Sequence, residues 1–322
     1  MENWVSRPDE VDGLIAGWQK DHGDLLTAES TRQYRGRPVW ALTVTDPKIP
    51  VENKRKALFF KPHAHEPAPI AAQMNVAAQL LTGRTLAGQP TRLDRDRILA
   101  EALLCFLPDA NPAGTAAAPV EAWDGTQYTN EEFWAWMRGV DPRTGRMWKR
   151  VDLWDETKER RLPLRYGIVY EQISEHEHVE SNRHHRSSLM VWLERLRQRY
   201  TWDRMLDLHQ TEFVGQVANC MTILPCLYEE QPGQIRQVEL AWAEAVVAAW
   251  AEVAGGRPLR HIAPLSYTGQ QRRYFINTFG EIYFSTNIIT TEIQNNSLLT
   301  PPVVQQRLNE VAIEVTVAEM LT

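Results

Sequence analysis

The stretch at residues 56–70, KALFFKPHAHEPAPI, constrains this chain more than any other. Ala57-Leu58-Phe59-Phe60 is a short apolar run of the kind that forms a buried strand, and Pro62, which has no N–H to offer a sheet ladder, ends it. The polar tetrapeptide His63-Ala64-His65-Glu66 follows at once. Pro67 and Pro69 then open an alanine-rich segment whose spacing predicts a helix over 70–81; proline costs nothing in a first turn, where its N–H would be unpaired anyway. In open α/β sheets, ligands collect in the crevice beyond the carboxyl ends of the strands, and His63 and Glu66 fall there. An imidazole and a carboxylate at H-x-x-E spacing are donors that zinc accepts together, and a catalytic zinc takes a third protein ligand and keeps a fourth position open. Taken alone, so short a motif fits a pair of hydrogen-bonded polar residues equally well.

The flanking chain carries the same alternation of elements. Pro8-Asp9-Glu10 precedes Val11, Leu14, Ile15 and Trp18, predicting a helix over 9–20 that ends by Gly23. Residues 25–34 and 39–44 read as strands joined by the hairpin turn Arg35-Gly36-Arg37-Pro38. Residues 103–107 form another apolar run, closed by the turn Pro108-Asp109-Ala110-Asn111-Pro112-Ala113-Gly114. A helical stretch over 187–199 precedes Met205-Leu206-Asp207-Leu208, an apolar strand that ends in His209. Residues 220–228 read as a strand, 236–253 as a helix stopped by Gly255-Gly256, and 302–320 as a closing helix.

The chain has 322 residues, 43% hydrophobic and 24% charged, enough to bury a large core. A net charge of −6 without a basic stripe argues against nucleic acid as a partner. Cys105, Cys220 and Cys226, an odd set in apolar surroundings, read as reduced core thiols of a cytoplasmic protein. Neither a signal peptide nor a membrane span is expected, because no basic start leads into an apolar core and no run of about eighteen apolar residues occurs.

The succession of an N-terminal helix, a strand, R-G-R-P-V-W-A-L at 35–42, H-A-H-E at 63–66 and P-D-A-N-P-A-G at 108–114 resembles the zinc metallocarboxypeptidases, the funnelins. Their order is a G-R-P-type hairpin, H-x-x-E, P-x-x-N-P-D-G, a distant third histidine and a late glutamate. The resemblance extends over nearly the whole chain. It implies a single α/β catalytic domain over 1–322, built on a mixed, roughly eight-stranded sheet with helices on both faces. It also implies one zinc per chain, held by His63, Glu66 and His209. Glu292, in the β-branched run Ile288-Ile289-Thr290-Thr291-Glu292-Ile293, matches the family's general base, and Tyr267 its mobile active-site tyrosine, with Tyr274 competing. Read without the resemblance, His209 fits a hydrogen-bonded core histidine, Glu292 a solvent-facing strand residue, and either tyrosine a loop aromatic.

The segment at about 115–166 departs most from the pattern. It holds Trp123, Trp134, Trp136, Trp148 and Trp154 with dense charge, a composition shared by substrate-binding faces and by half-buried cap helices. Residues 146–155, RMWKRVDLWD, resemble the family's R…G-V-D-L-N-R stretch. In that register Arg146 would stabilise the oxyanion, with Arg143 or Arg138 as alternatives, and Trp154-Asp155 would replace the Asn-Arg pair that grips a substrate's terminal carboxylate. An aspartate there would repel a carboxylate. The competing register uses Asn182-Arg183. Glu175-His176-Glu177-His178 and His184-His185 could serve a second metal but lack a third ligand at defined spacing, so they read as a solvated rim.

These readings lead to a cytoplasmic zinc hydrolase of a peptide or small amide substrate, carboxypeptidase-like with an altered carboxylate pocket. Strand-forming residues begin within the first forty positions, so no inhibitory prosegment is expected. One alternative is a deacylase of the aspartoacylase or succinylglutamate desuccinylase type, whose D-L-H-x-T phrase resembles residues 207–211. Another is an inert peptide-binding protein on the same scaffold.

Overall fold

The computed structural model describes residues 3–158 and 161–322. Helix α1 (Pro8–Asp21) turns Val11, Ile15 and Trp18 into the core at helical spacing. Strands β1 (Leu26–Arg32) and β2 (Pro38–Val44) form the expected antiparallel hairpin, with Gly36 taking the positive φ of 82° that its turn requires. Strand β3 (Arg55–Phe60) leads into α2 (Pro67–Thr82), which is buried from Pro67 to Leu81 and ends at Gly83 in the left-handed conformation. A helix apolar on every side must be covered on every side, and α2 packs between the sheet and the last helix.

Helix α3 (Arg95–Glu101), capped by the Asp94 side chain, feeds β4 (Ala102–Leu107). The Trp-rich segment then contributes α4 (Pro112–Ala117) and α5 (Asn130–Arg138), the latter opened by a reciprocal cap between Thr129 and Glu132. Strands β5 (Leu153–Asp155), β6 (Tyr170–Gln172) and β7 (Glu177–Glu180) make a small antiparallel sheet in the order β5-β7-β6. The remaining elements are α6 (Ser188–Arg199), β8 (Arg204–Thr211), β9 (Cys220–Leu224), α7 (Gly233–Ala251), β10 (Ala263–Pro264), α8 (Gly269–Tyr283), β11 (Ile288–Gln294) and α9 (Pro302–Met320).

The main sheet has eight strands in the order β1-β2-β4-β3-β8-β11-β9-β10. Strands β4, β3, β8 and β11 run parallel at its centre, while β1, β2 and β9 make the antiparallel pairings. One face buries Phe59, Phe106, Leu206 and Ile289 under α2, α7 and α9; the other buries Phe60, Cys105, Met205 and Ile288 under α6 and α8. This is the single α/β domain with helices on both faces that the sequence implied. Its cysteines are free and buried, and among the described residues no helix is long and apolar enough to cross a membrane.

Local differences have local causes. The strand expected over 220–228 stops at Leu224, since Pro225 cannot extend the ladder. Helix α8, which buries Tyr274, was not expected; its apolar residues alternate with Arg272, Arg273, Asn277 and Glu281, and that diluted their periodicity.

Glu239 of α7 is fully buried beneath the start of β11. Its Oε1 accepts from the Ile288 backbone N–H (2.9 Å) and from Gln231 Nε2 (3.2 Å), whereas Oε2 has no partner. Burial pushes this carboxyl up to about 7. The folded protein therefore retains a proton that the unfolded chain has lost, and stability falls as pH rises through the window between the ordinary value of 4.5 and about 7. Glu239→Gln keeps the acceptor and removes the charge. In urea unfolding the variant should exceed the wild type by on the order of 2 kcal/mol at about pH 8, and the two should converge near pH 4. An advantage independent of pH would mean that Glu239 is not the titrating group.

Candidate active site

The carboxyl ends of β3, β8 and β11 converge on one hollow. His63 and Glu66 lie in the turn between β3 and α2, with Glu66 at the N-cap of α2, where the helix dipole favours negative charge. His209 on β8 and Glu292 on β11 are paired in register across a parallel ladder, so both side chains leave the sheet on the same face. Donor atoms of His63, Glu66 and His209 lie within 4.8 Å of one another, and all three residues are buried. His63 Nδ1 is 2.9 Å and His209 Nδ1 3.2 Å from Glu66 Oε1.

The opposite ring nitrogens meet acceptors. His63 Nε2 faces Asn182 Oδ1 at 3.1 Å and Glu180 Oε1 at 3.4 Å, and His209 Nε2 lies 2.9 Å from Asp207 Oδ1. With a cation bound between them, such outer partners would hold the ring proton on Nε2 and turn the Nδ1 lone pair toward it. Two imidazole nitrogens and a carboxylate, whose Oε2 is buried without a hydrogen bond, thus cluster about a common centre. This donor set fits a divalent cation of zinc's type, which would satisfy that orphan oxygen.

Electrostatics follow the same geometry. Burial acts to raise the Glu66 carboxyl, but His63, His209 and His65 around it hold it well below its ordinary range. Burial drives His63 down to about 4 despite Glu66 beside it. His209 is pushed well above its usual value, because Asp207 and Glu66 outweigh its burial. Burial raises Glu292 to about 8 against the opposing pull of His209, with Glu66 and Asp207 adding to the rise. Oε2 of Glu292 has no hydrogen-bond partner.

A cavity of about 220 Å³ opens beside this cluster, and Arg138, Arg150, Asn182, Arg183 and Tyr267 line its other side. Arg183 is buried and heavily engaged. It pairs with Glu180, donates to Asn182 Oδ1 (3.1 Å) and Gln271 Oε1 (3.0 Å), and lies over the rings of Phe275 and Tyr267. Burial lowers its guanidinium to about 9. The Tyr267 hydroxyl is 3.5 Å from Arg183 Nη2, at the cavity mouth.

The favoured register through 146–155 is corrected by this geometry. Arg146 is exposed in a turn that Asp141 and Gly145 close, and Arg143 is paired with Asp141; neither lines the cavity, whereas Arg138 and Arg150 do. Trp154 is buried against Trp148, and Asp155 is occupied by Thr157 and Lys158, both on β5 and outside the cavity. The competing pair Asn182-Arg183 stands in the cavity instead. The signal was present as Val179-Glu180-Ser181-Asn182-Arg183, a V-x-x-N-R phrase with glutamate where the family pattern has aspartate. Sequence reasoning also passed over Glu180 and Arg150, which pair with each other, and the placement of Asp207 beside His209. His184 stacks on His185 without a third donor, and among the described residues His63, Glu66 and His209 are the one three-residue donor group.

The turn after β4 braces this site. Asn111 is fully buried; its amide accepts from Gly114 N–H and Gln33 and donates to the Ile168 carbonyl. Gly114 has no room for a side chain, since a Cβ there would lie 2.5 Å from Ile168 O and 2.7 Å from the Cβ of Ala64, between the two histidines of the H-A-H-E turn.

No protein-family model matches the sequence, and no curated protein matches it in sequence. Solved structures do resemble it. Carboxypeptidase A from Helicoverpa armigera superposes with a TM-score of 0.59 at 12% identity, over 100% of this chain and 74% of its own. A metallo-carboxypeptidase from Burkholderia cenocepacia gives 0.58 at 12% identity, over 97% and 68%. One from Pseudomonas aeruginosa, solved with (2-guanidinoethylmercapto)succinic acid, gives 0.53 at 15% identity, over 96% and 69%. The fold of this chain is that of the metallo-carboxypeptidases.

Proposed function

We propose that the protein is a zinc-dependent hydrolase of peptide or amide bonds, carboxypeptidase-like in mechanism. The observation that carries this reading is the register of β8 with β11, which sets the unpaired Glu292 carboxyl beside the donor set His63, Glu66 and His209. Zinc held by those three residues would supply Lewis acidity, acidifying water and polarising a carbonyl. Glu292, half-buried at the cavity wall, would take the proton from attacking water and deliver one to the leaving amine. Arg138, whose Nε has no hydrogen-bond partner, or Arg150 would face the developing oxyanion in the role first given to Arg146. Asn182 and Arg183, with Tyr267 at the mouth, would orient the substrate's carboxylate end.

The small cavity supports a second reading, a deacylase of N-acyl amino acids, in keeping with the Asp207-Leu208-His209-Gln210-Thr211 phrase.

Metal binding is read first. Purified protein should carry about one zinc per chain, and His63→Ala or His209→Ala should lose it. Chelation should lower the thermal midpoint and zinc should restore it, by about 2.7 kcal/mol of stability when the metal stands a hundredfold above its Kd. A folded protein that neither takes up zinc nor responds to it would sink the mechanism.

Hydrolysis is read on a matched pair of peptides, one with a free C-terminal carboxylate and one amidated, alongside an N-acyl amino acid. The free acid should be cut and the amide spared, and Glu292→Gln should reduce kcat by roughly 10²- to 10⁴-fold without loss of zinc. Cleavage of both peptides alike would remove Asn182 and Arg183 from carboxylate recognition, and cleavage of the N-acyl amino acid alone would favour the deacylase.

A further inference from the structure

A second cavity, also of about 220 Å³, lies at the other end of α2, between α2, α3, β4 and α9. Glu66 caps one end of α2 and Leu80 stands near the other, roughly 20 Å away at about 1.5 Å of helical rise per residue. The walls are aliphatic, with Val76 and Leu80 from α2, Ile98 from α3, Leu104 from β4, and Ile313 and Val317 from α9. The charged residues that border it, Arg92, Asp94, Arg97 and Glu314, are exposed or half-buried, so charge stands at the mouth and none in the interior. Three of these four are answered. Arg97 donates to Glu101 Oε2 (3.1 Å) and to the Leu321 carbonyl (2.9 Å), and both oxygens of Glu314 accept from Arg307 (2.6 and 3.0 Å). Asp94 caps α3 by accepting from the Arg97 backbone N–H (3.4 Å), where the helix dipole favours its charge. Arg92 has no hydrogen bond or ion pair among the described residues. Water in such walls finds no polar partner, and the wall atoms lack the contacts that a close-packed interior would give them.

We propose that this cavity binds a medium-chain alkyl carboxylate, its tail lying against Val76, Leu104 and Val317 and its head paired with the Arg92 guanidinium. The site is separate from the donor set and stands whether or not the protein is a hydrolase. An apolar interior with one unanswered cation at its mouth matches a ligand with an apolar body and one anionic end, and a guanidinium pairs with a carboxylate through two parallel hydrogen bonds. An alkylammonium would bring a like charge to Arg92. At the roughly 30 Å³ that a water takes in the liquid, about 220 Å³ holds on the order of seven non-hydrogen atoms, the length of the octanoate tail.

Calorimetric titration with butyrate, hexanoate, octanoate, octanol and octylammonium separates tail from head. Affinity should rise roughly fourfold per added methylene up to octanoate, and octanol should bind about two- to fivefold more weakly than octanoate. Arg92→Gln should lower octanoate to the affinity of octanol and leave octanol unchanged. Ala318 is an exposed position at the rim on α9, so Ala318→Trp should close the cavity to both without disturbing the core. Carboxylates also bind metals, and octanoate is therefore titrated into chelator-treated wild type and into His63→Ala, where its affinity should be kept. Binding that is lost in both of these and kept in Ala318→Trp would move the ligand to the donor set and overturn the proposal. Affinity independent of chain length, a preference for octylammonium, or an advantage over octanol that survives Arg92→Gln would overturn it as well. If the wild type binds no octanoate at millimolar concentration, the cavity is a packing gap and the proposal fails.

Discussion

Four carboxylates, Glu66, Glu180, Asp207 and Glu292, are brought to one end of the sheet by β3, β7, β8 and β11, each far from bulk water or nearly so. Crowded negative charge in a low-dielectric hollow is unfavourable unless cations answer it at short range. The surroundings are arranged as that answer. His63, His65 and His209 ring Glu66, which also stands at the N-terminus of α2, and Arg150 and Arg183 converge on Glu180. Glu292 Oε2 is left without a hydrogen-bond partner, and burial pushes the carboxyl toward its neutral form. A divalent cation at the donor set would complete the compensation and shift every member of the cluster at once.

Most of the frame was legible because its signals are short-range. Proline at 62, 67 and 69, the Arg35–Pro38 turn and the apolar runs of β3, β4 and β8 act through local sterics and period, and the elements formed where those patterns lie. His63, Glu66, His209 and Glu292 were legible for a related reason, since each closes or interrupts an apolar strand. The register through residues 146–155 failed where no such constraint operates. V-D-L at 151–153 and V-E-S at 179–181 are equivalent as composition, and only the pairing of β5 and β6 on either side of β7 decides that the second reaches the cavity. Asp207 was seen as part of a phrase, yet its nearness to His209 Nε2 is a matter of strand period rather than motif.

The helices over the cavity divide the labour differently from the sheet. Strand register places His209, Glu292, Asp207 and Thr290 on a rigid grid, whereas Arg138 comes from the end of α5 and Tyr267 and Gln271 from the approach to α8 and its first turn. The acidic groups and His209 thus stand on the sheet, whereas Arg138, Tyr267 and Gln271 reach the cavity from the helices and loops laid over it.

The absent side chain at Gly114 bears on folding order. Ala64, Gly114 and Ile168 are separated by long stretches of sequence yet meet with no space for one more methyl group. Closing that contact brings together the turn after β3, the turn after β4 and the return from α5, three loops whose closure entropy is spent before the contact forms. The packed position of the donor turn therefore requires the turn after β4 and the Trp-rich segment to be docked against it. The arrangement of His63 and Glu66 is thus a product of long-range assembly, and a chain stalled short of that docking would carry the same side chains without their geometry.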